Sequence, residues 1–346
     1  MDKISVKNKR IAIIGGAGFI GHNLALHLKN LGSQVSIIDG LEVNNLTSVL
    51  ANSDNLPHPE LSHVVINERL QLIRDSGIKL LVQDARDYHA LSRLLDNIKP
   101  QVIIHLAAVS HANRSNKDPY STFDHSLRTL ENALDNSKNV IEHFIYFSSS
   151  MVYGNFEKGI VDEDVSCNPL GIYGALKFSG EKMVIAYNQV FDLPYTIIRP
   201  SALYGERCIS RRVGQIFIEN ALSGKEIIVN GDGSGNLDFT YIMDLIYGVV
   251  NVIESKNSIN QTFNLTYGSA RTISDMIDIL KLDFPNLKIK KIEKDALMPD
   301  RGTLSIEKAK SLIGYNPSWS LDKGYPEYIN WYKNLYNNNN IEIARK

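Results

Sequence analysis

Only two cysteines, Cys167 and Cys208, occur in 346 residues. They are far apart and outside any C-x-x-C spacing, which excludes a disulfide frame or a cysteine zinc site and fits a reducing compartment. An excess of one charge is also lacking: 37 Lys plus Arg against 38 Asp plus Glu leave a formal net charge of −1. No field is available to collect nucleic acid or an anionic membrane, so neither is an expected partner. No stretch of about 18 successive apolar residues occurs, and the opening "MDKISVKNKR" is polar. A membrane span and a secretory leader are not expected, and the cytoplasm is the expected location. Nine histidines include no H-x3-H or H-E-x-x-H spacing, so no metal is expected. A repeat of solenoid period is missing as well.

What is present is the make-up of a globular protein, 43% hydrophobic and 22% charged, with room for about two structural units. Short β-branched runs ("RIAIIGG", "QVSIID", "IKLLVQD", "VIIHLAA", "HFIYFSSS") alternate with amphipathic segments. That rhythm predicts an α/β fold, a doubly wound parallel sheet of Rossmann type covered by helices on both faces. Residues 41 to 77 exceed a minimal crossover and predict an added helix on the periphery. The rhythm loosens after "YTIIRPSALYG". The expected organisation is therefore 1–206 as a nucleotide-binding unit carrying the chemistry, 207–335 as a smaller mixed α/β substrate unit that exchanges elements with it, and 336–346 as a polar tail. The aromatic "YINWYKNLY" is expected in a core, and the basic "KIKKIEK" on a solvated strand face.

Gly15, Gly18 and Gly21 give G-x-x-G-x-x-G, and Gly16, Gly18 and Gly21 give G-x-G-x-x-G, directly after a strand and before "FIGHNLALHLKNLG". Such a turn brings backbone N–H groups and a helix N-terminus to a pyrophosphate. The second strand ends at Asp39, 18 residues beyond Gly21. A carboxylate there holds two ribose hydroxyls and repels a 2′-phosphate, which favours NAD over NADP. The competing reading is that the glycines only permit tight packing and that Asp39 is a solvated turn residue.

Among 16 tyrosines only Tyr173 has a lysine, Lys177, four residues later; on a helix both share a face. A phenol with a reference pKa of about 10 is a poor base at neutral pH, but a neighbouring ammonium favours the phenolate. Tyr173 then serves as proton acceptor for a sugar hydroxyl. Ser149, at the end of the fifth strand, is placed to hydrogen-bond that oxygen.

With these motifs the sequence resembles the extended short-chain dehydrogenase/reductase family, specifically its NAD-dependent nucleotide-sugar epimerases and dehydratases, from Arg10 to about Tyr332. The motifs are "GGAGFIG", "IID", "DARD", "HLAA", "SSSMVYG", "YGALK", "RPSALYG", "GDGSGNLDFTYIMDL" and "RGTLSIEKAKSLIGYNP". The resemblance implies NAD as cofactor, held by Gly15, Gly18, Phe19, Ile20, Gly21, Asp39, Asp84, Ala85, Leu106, Ala107, Ala108, Ser148 and Pro200 besides Tyr173 and Lys177. It implies Ser149, Tyr173 and Lys177 as the catalytic triad. It also implies homodimers formed through the helices over 117–137 and 171–190.

Dehydratases of the family carry Thr-Asp-Glu where this chain has Ser149, Ser150 and Met151, so dehydration is not expected. Ala202 replaces a usual Asn, Leu237 a usual Arg, and His125 a common Asn. Arg207, Arg211, Arg212 and Arg301 are candidates to clamp a diphosphate, although Arg211 and Arg212 also read as solvated helix-start charges. Ser149 and Ser150 are placed to reach the sugar, as are Ser110 and His111 on the loop after the fourth strand, although a polar loop histidine also reads as merely solvated. The expected function is a nucleotide-sugar epimerase that oxidises a sugar hydroxyl at C4 and re-reduces it. A dehydrogenase or keto-sugar reductase that lets the keto-sugar go is the alternative, and a non-catalytic NAD-binding module a remoter one.

Overall fold

The computed structural model describes residues 4–42, 46–51, 58–109, 112–157, 159–295 and 297–339. The β-branched runs become strands β1 (Arg10–Ile14), β2 (Gln34–Asp39), β3 (Lys79–Val82), β4 (Val102–His105), β5 (His143–Phe147), β6 (Tyr195–Arg199) and β7 (Gln261–Asn264). They pair in parallel in the order β7-β6-β5-β4-β1-β2-β3. Successive residues of β1 serve opposite layers. Ile11 and Ile13 join the core containing Leu24, Leu28 and Val65, whereas Ala12 and Ile14 join the core containing Leu91, Leu130 and Val184. Burial on both faces explains why β1, β4, β5 and β6 are strongly apolar, each fully buried Ile or Leu contributing roughly 2 kcal/mol.

The strand order reverses between β1 and β4, where crossovers leave in opposite directions and a crevice opens at the carboxyl ends. Three features converge there: the turn after β1, the end of β4, and the serine-rich end of β5. The last strand of the sheet, β7, comes from beyond residue 207 and pairs Phe263 with Ile198. The second half of the chain thereby shares the first half's sheet.

The remainder of the second half packs helices Val213–Leu222, Ile242–Glu254, Ile273–Asp283 and Leu321–Asn338 with two-residue and four-residue ribbons. Tyr325, Tyr328 and Tyr332 of the aromatic cluster are buried there, Tyr325 and Tyr328 against Tyr204. The basic strand Ile289–Ile292 is exposed along its length and pairs with Ile227–Asn230.

The region expected to add a peripheral helix does form the helix Pro59–Asp75, but it is not peripheral. Leu61, Val65, Ile66 and Ile73 are buried against the sheet layer, and Arg69 is 2% exposed. The apolar stripe at 3.6-residue spacing pulls the helix onto the helix Phe19–Asn30 and carries Arg69 inward with it.

Candidate active site

The glycines of the first turn divide by task. Gly15 has φ +80°, and a Cβ on it would lie 2.6 Å from the Ala107 nitrogen. On Gly21 a Cβ would lie 2.5 Å from Gly16 Cα, so this pair lets the helix Phe19–Asn30 sit directly on β1. Gly18 differs, because a Cβ there would meet only the Gly15 carbonyl at 3.5 Å, an ordinary contact. The fold itself does not require glycine at 18. The space before the helix N-terminus does, if a pyrophosphate is to lie against its free N–H groups. This cradle, open where a side chain would fill it, fits NAD.

Asp39 closes the same crevice from the end of β2. Its Oδ2 accepts from the Ala17 N–H at 2.9 Å and its Oδ1 from the Leu41 N–H at 2.7 Å. Each oxygen keeps a lone pair for a ribose hydroxyl. Burial pushes its pKa up, while the Leu41 and Ala17 N–H groups and Arg69 pull it down. Phe19, Ile20, Ala85, Leu106, Ala107 and Ala108 supply apolar walls. At the far end Asp84 accepts from Arg86 Nε at 2.9 Å and Nη2 at 2.6 Å. Arg86 also reaches Glu42 at 2.7 Å and Asp124 at 3.0 Å, so this end of the crevice is rimmed by an ionic ring.

The candidate catalytic residues gather where β5 runs out. Ser149 is extended, φ −163°, and caps the short turn Ser150–Tyr153, its Oγ accepting from the Met151 N–H at 3.2 Å. Ser150 donates its N–H to the Pro200 carbonyl at 2.9 Å. The helix Gly171–Phe191 begins where Asn116 Oδ1 accepts from the Ile172 N–H at 3.1 Å. Tyr173, Lys177, Ser148, Ser149, Ser150 and Pro200 all line one cleft of about 730 Å³ between the sheet edge and the smaller unit. Lys177 is buried and donates to the Phe147 carbonyl at 2.6 Å. Burial pushes its pKa down to about 8, with Glu181 pulling the other way.

The four arginines do not share one fate. Arg301 lines the cleft with its guanidinium at the Met151 sulfur, and burial pushes its pKa down to about 10. Arg212 lines both the cleft and the crevice, and its Nε is buried without a hydrogen-bond partner. Arg211 also lines the cleft but is held by the buried Glu219 at 2.9 Å. Arg207 does not line it: its guanidinium donates to His22 at 3.0 Å, Asn23 at 3.2 Å and Glu68 at 3.3 Å. Ser110 and His111 lie outside the described residues.

Several participants escaped the sequence reading. Arg69 lines the crevice and donates from Nε to the Arg207 carbonyl at 2.9 Å, tying the cofactor side to the loop of arginines. Glu181, one turn beyond Lys177, is buried with Arg199. The signal for Glu181 was present, since Tyr173, Lys177 and Glu181 repeat at four-residue spacing. No periodicity marks Arg69 as more than another polar helix residue.

A family model described as "NAD dependent epimerase/dehydratase family" matches residues 11–266. An uncharacterized UDP-glucose epimerase of Bacillus subtilis is 30% identical over 335 residues, spanning 94% of this chain and 99% of that one. UDP-glucuronate 4-epimerase 1 of Arabidopsis thaliana is 28% identical, spanning 95% and 78%. The crystal structure of the UDP-glucuronic acid 4-epimerase of Bacillus cereus, in complex with UDP-glucuronic acid and NAD, superposes with a TM-score of 0.83 at 29% identity, over 94% of this chain and 99% of that one. The glycine cradle and Asp39 fit the cofactor this family uses, and the chain belongs to the NAD-dependent epimerase/dehydratase family as an NAD-dependent epimerase.

Proposed function

We propose that this epimerase inverts C4 of a UDP-linked hexose. The observation that carries the reading is the gathering of Ser149, Tyr173 and Lys177 on one wall of a cleft of about 730 Å³ that also holds Arg212 and Arg301. That volume suits a nucleotide sugar, and the relatives act on UDP-sugars by name. NAD, held by the crevice that Gly15, Gly18, Gly21 and Asp39 line, would supply the hydride acceptor and donor for the sugar carbon. Tyr173 takes the hydroxyl proton, with Lys177 four residues on along the same helix face. Ser149 hydrogen-bonds the same oxygen while its charge changes. After the keto-sugar turns over in the cleft, Tyr173 returns the proton. The turn after Ser149 carries Ser150 and Met151, which offer no carboxyl for removing water.

Arg301 and Arg212 favour a hexuronate, such as UDP-glucuronate, as the sugar. No carboxylate among the described residues forms an ion pair with either, and Arg301 lies against Met151 at the sugar end. An anion beyond the diphosphate would complete that charge.

The test is to incubate the holoenzyme with UDP-glucose and UDP-glucuronate, recovering sugars for NMR and following reduced cofactor by absorbance. A C4 epimer without net NADH, with UDP-glucuronate preferred, is expected; a keto-sugar with stoichiometric NADH would establish a dehydrogenase instead. Tyr173→Phe is expected to lower kcat by about 10³-fold. Arg301→Ala is expected to weaken sugar-nucleotide binding with NAD retention intact, and unchanged affinity removes Arg301 from the site.

We also propose a cytoplasmic homodimer. The helical segments that pair in relatives expose Tyr120, Phe123 and Val190 at 86%, 48% and 69%, apolar surface that a second copy would cover. Sedimentation as a 38.8 kDa species would exclude it.

A further inference from the structure

We infer that Glu181 is a positioning residue for the reaction: from behind the cleft it fixes the strand end that carries Ser149 and holds the Lys177 ammonium in place. The inference rests on the epimerase reading above. Glu181 is 2% exposed and does not line the cleft. Its Oε1 accepts from Ser148 Oγ at 2.5 Å. Arg199 grips the same carboxylate as a fork, Nε to Oε1 at 2.9 Å and Nη2 to Oε2 at 2.7 Å. Arg199 in turn donates to Tyr153 Oη at 2.9 Å, and Tyr153 donates to Asn264 at 2.8 Å. One carboxylate thus joins the Tyr-Lys helix, the end of β5 and the end of β6.

Position along β5 gives this network its consequence. Ser148 lies between Phe147, whose carbonyl receives Lys177 Nζ, and Ser149. The backbone bond from the Ser148 N–H to the Ile198 carbonyl at 2.8 Å keeps the strand in place, and the Glu181 bond to the Ser148 hydroxyl sets the fine position of the residue between the anchor of Lys177 and the serine that meets the sugar oxygen. Stability alone does not account for the arrangement, because a well-packed apolar pair holds a fold at least as well as a buried ion pair. An apolar pair lacks the negative charge.

The groups facing Lys177 make that charge matter. On its own helix are Tyr173 and Glu181; β5 contributes the Phe147 carbonyl and the Tyr146 ring, 5.2 Å from Nζ. From β4 comes His105, kept neutral by burial, which pushes its pKa down to about 3. Burial also holds Tyr146 neutral. Arg199 stands beyond Glu181 on β6. Glu181 is therefore the carboxylate that offsets the cost of keeping Lys177 charged in a dry site, and removing it lets Lys177 lose its proton at lower pH.

The test compares Glu181→Gln with the parent as NAD-loaded enzymes, after thermal midpoint and bound NAD have been measured. The alkaline limb of kcat is expected to move down by about one pH unit, with kcat near neutrality about 10-fold lower and KM for the UDP-sugar unchanged. An unmoved limb, or an effect on KM alone, overturns the inference. Ser148→Ala removes one hydroxyl and leaves the charges, so it covers the case in which Glu181→Gln does not fold. It is expected to lower kcat several-fold without moving the limb; parental kcat overturns the role of the strand end. A parent that epimerises no UDP-sugar would sink the epimerase reading itself, whereas a working parent matched by both variants sinks only this inference.

Discussion

Ala202 carries a backbone cost as well as a missing side chain. It has φ +36°, in the left-handed region where Cβ crowds the following carbonyl and where Asn, whose short polar side chain bonds locally, is far better tolerated. Ala202 lines the cleft and strains the turn after β6. Ala202→Asn is expected to stabilise the protein by roughly 0.5–1 kcal/mol, a rise in thermal midpoint on the order of 1–3 °C. A lowered midpoint would show that the turn has already adapted to alanine. Arg207 teaches the opposite lesson about single residues. A cationic side chain beside other arginines suggests an anion, yet three neighbours already absorb its donors.

The turn between β1 and its helix separates what folding needs from what the ligand needs. Gly21→Ala would drive a methyl into Gly16 Cα, a backbone atom that cannot move aside without lifting the helix from the sheet. A loss of several kcal/mol together with loss of NAD is expected, as for other backbone overpacking. Gly18→Ala meets nothing closer than 3.5 Å within the protein. It should keep a near-parental thermal midpoint without cofactor while losing most of its NAD affinity, measured by calorimetry of the apoprotein. Equal damage from both substitutions would mean that Gly18 serves the fold. The strand, the glycines, Asp39 and the Tyr173–Lys177 pair were legible in the sequence because each imposes a local pattern: an apolar run, a spacing, a strand-end acid. The four-residue repeat put Glu181 on the Tyr173–Lys177 face, but its pairing with Arg199 and the inward setting of Pro59–Asp75 were not legible, since tertiary packing across more than a dozen residues supplies the partners. The anionic and cationic members looked like ordinary surface charge.

Sharing of the sheet makes the chain cooperative: β7 belongs to the second half of the sequence yet is laid on β6, and Tyr247 of the second half meets His27 of the first with ring centroids 5.2 Å apart. A single unfolding midpoint is thus the appropriate measure, and its pH dependence follows from the buried titratable groups. Burial lowers the pKa of His105 and His143 to about 3 and that of His22 well below its usual value. A group depressed in the folded state leaves stability intact above its unfolded pKa of about 6.5 and removes it as pH falls, because the unfolded chain takes up the proton. Between pH 7 and pH 6 the three together should cost on the order of 2 kcal/mol. Asp238 works in the other sense, since burial raises it to about 6; its relief on acidification falls mostly between pH 6 and about 4, below this window. The urea midpoint is therefore expected to drop from pH 7 to pH 6, and a midpoint that holds or rises would mean that buried carboxyls, not histidines, set the acid side of the stability curve.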